Sequence, residues 1–86
     1  MGRHKEAVLV LERAVAIFEA RVGSQTWMTA TTRASLGEAL LAMGQTADGE
    51  KALTTAYETL LSLLGPDDKR TRRVAEVIRK HGIAKP

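Results

Sequence analysis

The sequence predicts an all-α fold, an antiparallel helix-turn-helix solenoid of about four helices, and three observations predict it. Gly2, Gly23, Gly44 and Gly65 recur every 21 residues, and glycine is the residue that most readily closes a helix at its C′ position. Each interval has room for a helix of about 15–18 residues and a short connection. No segment alternates apolar and polar residues as a strand does. Finally, the chain matches itself when slid by 42 residues, pairing Met1-Gly2 with Met43-Gly44, Leu11 with Leu53, Ala14 with Ala56, Gly23 with Gly65 and Thr29 with Thr71. A period of that size marks stacked helical repeats, in which each helix pair buries its apolar face on a neighbour.

The elements follow in order. Residues 4–22 carry Ala7, Leu11, Ala14 and Phe18 on one stripe with Val8, Val15 and Val22 beside it, and Val10 and Ile17 widen the apolar arc further. A helix written this way expects cover on more than one side. The second helix, ending at residue 43 and starting at 26 or 29, sets Ala30, Ala34, Gly37 and Leu41 beside Leu36, Leu40 and Met43, and its small residues allow a close approach of two axes. The third, residues 46–64, places Gly49, Leu53, Ala56 and Leu60 on one stripe. Gly65-Pro66-Asp67-Asp68 then joins a helix stop to carboxylates suited to an N-cap. The last helix, within residues 68–82, offers only Val74, Ala75, Val77 and Ile78 in a basic surround, as a capping element should. Gly82 follows Gly65 by 17 residues, about one helical turn short of the period.

Composition bounds the function. At 86 residues the chain is one small domain, and a core of that size is marginal without a staple or a partner. It has no cysteine, which excludes disulfides and thiolate metal sites. With one each of Phe18, Trp27 and Tyr57 it lacks the rings of a single-stranded nucleic-acid platform. No apolar run approaches a bilayer span, and nothing reads as a processed leader. A cytoplasmic protein is the default expectation. Residues 1–66 are about neutral, whereas the last 20 are basic.

The residues in phase resemble the tetratricopeptide repeats, in particular the 42-residue form of kinesin light chains and bacterial scaffold proteins. Arg33, Leu36-Gly37 and Leu40 occupy the first-helix places, and Gly49, Leu53 and Ala56 the second-helix places, with Ala7, Leu11 and Ala14 one period earlier. Gly65-Pro66-Asp67-Asp68-Lys69-Arg70-Thr71 looks like the loop between repeats. Arg33 stands where the family often has Trp, and Gly49 where Ala is usual. The resemblance implies that residues 1–22 are a second helix without a preceding partner, that 26–64 are a full pair, that 68–82 cap a single domain over 1–86, and that the chain is cut from a longer array. It also implies a concave groove lined by Thr31, Ala34, Glu38, Leu41 and Ala42 on the second helix and by Arg73, Glu76 and Lys80 on the fourth. With no Asn in the chain and Ala34 and Glu38 at the first-helix places, a clamp for a C-terminal carboxylate is not expected.

No catalytic constellation stands out. His4 and His81 are far apart, without ligand spacing. Asp67 and Asp68 read as capping groups rather than an acid and base pair, and the glycines are single and periodic rather than a phosphate loop. No cofactor or metal is expected. The basic cluster of Lys69, Arg70, Arg72, Arg73, Arg79, Lys80 and Lys85 reads as a solvated cap, as a surface for an acidic partner or peptide, or as a nucleic-acid site. Trp27 reads as a buried staple or an exposed contact ring. The leading expectation is therefore a non-catalytic protein-binding scaffold module that forms a homodimer, with Val8, Leu11, Val15, Phe18 and Val22 as its self-association face and a domain swap as the form. Its rivals are nucleic-acid or acidic-partner binding through the basic helix, and the tail of a multidomain signalling enzyme.

Overall fold

A computed structural model describes residues 3–83. The match of Met1-Gly2 to Met43-Gly44, and Lys85 of the basic cluster, lie outside the described residues. The architecture is four helices in series, α1 (Arg3–Val22), α2 (Trp27–Ala42), α3 (Thr46–Leu64) and α4 (Lys69–Lys80), with no strand among the described residues. Gly23, Gly44, Gly65 and Gly82 follow the four helices, all at positive φ. A residue with a Cβ is strained in that conformation, so the regular glycine spacing sets the helix lengths.

The 42-residue period is present in the backbone. α1 and α3 end at Val22 and Leu64, and α2 and α4 begin at Trp27 and Lys69, each pair one period apart. The N-caps are equivalent as well. The Thr26 hydroxyl accepts from the Thr29 amide at 3.2 Å, and the Asp68 carboxylate accepts from the Arg70 amide at 2.9 Å. Thr29 and Thr71, one period apart, are both buried. The Thr29 hydroxyl donates to the Gly23 carbonyl at 2.9 Å and so ties the α1–α2 turn to the start of α2. The Thr71 hydroxyl has no hydrogen-bond partner among the described residues.

Each helix packs on the next, and α2 also touches α4, whereas α1 meets neither α3 nor α4 among the described residues. The pairing is antiparallel. Gly37 faces Gly49 and Leu53 across the α2–α3 crossing while Leu41 faces Gly49, and Glu19 near the end of α1 is ion-paired with Arg33 of α2. Two antiparallel steps make α2 and α4 parallel neighbours. Their N-terminal ends meet where the Arg70 guanidinium lies 4.3 Å from the centre of the Trp27 ring.

The core is made of Ala30 and Ala34 of α2, Leu53, Ala56 and Leu60 of α3, Val74 and Ile78 of α4, and Ile83 just beyond it. At the α2–α3 crossing, a Cβ on Gly37 would stand 3.0 Å from the Gly49 carbonyl oxygen and 3.2 Å from the Leu53 amide nitrogen. A Cβ on Gly49 would stand 2.8 Å from the Leu41 side chain and 3.0 Å from the Gly37 carbonyl oxygen, so alanine would fit there only by moving a neighbour. α1 lies outside this core. It is held on α2 through Val8 and Val15, both buried, and through the Glu19–Arg33 pair.

Candidate functional site

Because α3 bridges α2 and α4, a cleft remains between those two parallel helices. It is lined by Thr31, Ala34, Ser35 and Glu38 from α2 and by Arg70, Arg73, Val74 and Val77 from α4, and its volume is about 60 Å³. That space takes one side chain or a few waters, well short of the few hundred Å³ of a cofactor pocket. Its floor is apolar, through Ala34, Val74 and Val77. The wall hydroxyls are already engaged, since Thr31 donates to the Met28 carbonyl at 3.2 Å and Ser35 to the Thr31 carbonyl at 3.3 Å.

The charged groups differ in freedom. Arg70 is fixed from two sides, by the Trp27 ring below it and by the Asp68 carboxylate at 3.8 Å. Arg73 and Glu38 make no ion pair among the described residues. The cleft thus offers an apolar slot with one free guanidinium, a second held in place, and a carboxylate opposite. Trp27 is neither a buried staple nor a bare ring: it is 44% exposed and carries Arg70 on one face.

Of the residues expected on a groove, Thr31, Ala34, Glu38 and Arg73 line this cleft. Leu41 packs against the core instead, Ala42 is exposed at the end of α2, Glu76 is ion-paired with Arg79 on the outer face of α4, and Lys80 is exposed at its end. None of these four lines the cleft. Ser35, Arg70, Val74 and Val77 were missed. Positions 70, 73, 74 and 77 form a helical stripe of their own, rotated about α4 from the stripe of 73, 76 and 80 that the resemblance implied.

Of the basic cluster, Arg70 and Arg79 are engaged by Asp68 and Glu76, while Lys69, Arg72, Arg73 and Lys80 are exposed and make no ion pair among the described residues. A broader depression of about 390 Å³ lies on another side of α2, flanked by Ser24 and Gln25 of the α1–α2 turn and by α3. Arg33, Asp48 and Lys51 line it beside Leu36, Leu40 and Ala52.

The expected self-association face needs redrawing. Val8 and Val15 are buried within the chain against α2, Leu11 and Phe18 are half-buried, and only Val22 of the five is exposed. A helix whose apolar arc spans both a covered and an uncovered side shows no boundary between them in its periodicity. The open apolar residues of α1 are Leu9, Val10, Ile17 and Val22. Within the chain, α1 rests on α2.

His4 and His81 sit at opposite ends of the chain, both exposed, and no group of three or more His, Cys, Asp or Glu residues among the described residues could hold a metal ion. No helix there is long and apolar enough to cross a membrane. No protein-family model matches the chain, and no curated protein or solved structure matches it.

Proposed function

We propose that this chain is a non-catalytic protein-interaction module of the 42-residue tetratricopeptide type, taking an extended acidic peptide in the α2–α4 cleft and a second copy of itself on α1. The observation that carries this reading is the recurrence at 42 residues of helix ends, N-caps and buried threonines, which sets two equivalent helices side by side and parallel. A slot for one side chain beside a free Arg73 suits an aliphatic residue flanked by carboxylates. Charge-assisted contacts of this kind are worth about 1.5–3 kcal/mol.

The test is an amide-shift titration of the protein with the blocked peptides Glu-Leu-Glu and Lys-Leu-Lys. The acidic peptide is expected to bind and to shift Thr31, Glu38, Arg70 and Arg73, and Arg73→Glu is expected to weaken it about tenfold or more. Equal binding of the two peptides, or shifts confined to Lys69, Arg72 and Lys80, would contradict the reading. A short DNA duplex whose binding falls steeply with salt would favour the basic outer face of α4 as a nucleic-acid site instead.

A further inference from the structure

Beside the α2–α4 cleft, the Trp27 ring at the start of α2 carries the Arg70 guanidinium of α4 4.3 Å from its centre. The repeat does not impose this pair. One period on from Trp27 stands Lys69, and one period back from Arg70 stands Met28, so neither half recurs as the helix ends and N-caps do. Nor is the pair closed off from water, since Trp27 is 44% exposed and the Arg70 side chain 43% exposed.

Stacking leaves the arginine available to a ligand. The ring takes the face of the guanidinium, whereas its five N–H donors lie in the plane and point outward. None of these donors makes a hydrogen bond among the described residues. The Asp68 carboxylate, at 3.8 Å, lies beyond hydrogen-bond reach of Nη1 and is already engaged as the N-cap of α4, where it accepts from the Arg70 amide at 2.9 Å. Arg70 is thus held by its face, with its edge free at a cleft whose floor is apolar.

The charges around that edge come from both helices. Lys69 and Arg73 of α4 are exposed and add to the positive field, while Asp67 and Asp68 oppose it. On α2, Glu38 stands two turns beyond Thr31 at the far end of the cleft, and Arg33 is taken up by Glu19 on another side of the helix. The field at the Arg70 end therefore favours an anion, and Asp68 is the nearest group that works against one.

We infer that Trp27 is a positioning residue of the cleft: by stacking on Arg70 it holds the guanidinium edge toward an incoming carboxylate, and through Arg70 it sets the affinity for an acidic peptide. The inference rests on the peptide-binding reading and deepens it. An arginine that is free in solution loses much of its rotamer freedom when it grips a ligand, and one already held loses less. Arg70 is accordingly the anchor. Arg73, with no ring beneath it, is the second contact.

The experiment is the titration of the full chain with blocked Glu-Leu-Glu, read by amide shifts. Trp27→Ala should keep the helical circular dichroism of the parent, because the Thr26 cap is untouched, and should weaken the peptide about two- to fivefold. Trp27→Phe, which keeps a ring, should recover most of that loss. In an Arg70→Gln background, Trp27→Ala should have no further effect, since a residue that acts through another is silent once that other is gone. Asp68→Asn keeps a capping oxygen and removes the opposing charge, so it should tighten the peptide. No binding of Glu-Leu-Glu to the parent would overturn the peptide reading and this inference with it. Binding that Trp27→Ala leaves unchanged, or weakens by the same factor with and without Arg70, would overturn the role of Trp27 alone.

Discussion

Leu53→Ala is expected to lower the free energy of unfolding by about 2–5 kcal/mol, because a fully buried side chain leaves a cavity that the surrounding helices fill only in part. Leu53 is 0% exposed and packs at the point where α2 and α3 approach most closely. Total stability for a domain of this size is about 4–13 kcal/mol, so the variant should lose much of its folded population at 37 °C. Urea unfolding followed by circular dichroism measures it. Val10→Ala on the open side of α1, measured at a concentration where the chain is monomeric, serves as the contrast and should change stability by less than about 0.5 kcal/mol. If the two variants were equally destabilised, the division of the molecule into a packed α2–α3–α4 core and a peripheral α1 would be wrong.

Gly37→Val is the second large effect. An exposed glycine in the middle of a helix gains about 1 kcal/mol on replacement by alanine. Here the gain is reversed, because the added Cβ meets the Leu53 side chain at 2.8 Å, the Gly49 carbonyl oxygen at 3.0 Å and the Leu53 amide nitrogen at 3.2 Å. Two of those neighbours are backbone and cannot rotate away. Overpacking costs about 1–3 kcal/mol for the extra volume, so Gly37→Ala should be net destabilising and Gly37→Val more so. A Cβ at Gly49 would meet Cγ and Cδ2 of Leu41, both at 2.8 Å, and the Gly37 carbonyl oxygen at 3.0 Å. Gly49→Ala is therefore expected to be net destabilising as well. A stabilising effect of either alanine in thermal or urea unfolding would contradict the crossing geometry.

With no Cβ at Gly37 or Gly49 the axes of α2 and α3 close up. What the sequence made legible was whatever depends on local chemistry. The positive-φ glycines at 23, 44 and 65 set the helix ends, Asp68 and Thr26 set the helix starts, and α3 spans Thr46–Leu64 as its periodicity predicts.

What was not legible depends on rotation about an axis. The apolar arc of α1 contains Val8 and Val15 as well as Val10 and Ile17, and hydrophobicity alone does not say which pair α2 covers. The same holds on α4, where the cleft takes the stripe of Arg70, Arg73, Val74 and Val77 rather than Arg73, Glu76 and Lys80. The stacking of Arg70 on Trp27 joins residues distant in the chain, and neither residue announces it.

Amide hydrogen exchange, measured at two protein concentrations about a hundredfold apart, tests the account most directly. α3, enclosed by α2 and α4, should show the same strong protection at both. α1, packed on one side only, should exchange faster than α3 in the dilute sample and gain protection in the concentrated one, as a second copy covers Val10 and Ile17. If α1 is as protected as α3 when dilute, or if its protection does not change with concentration, then its open face has another fate and the self-associating module is not what this chain forms.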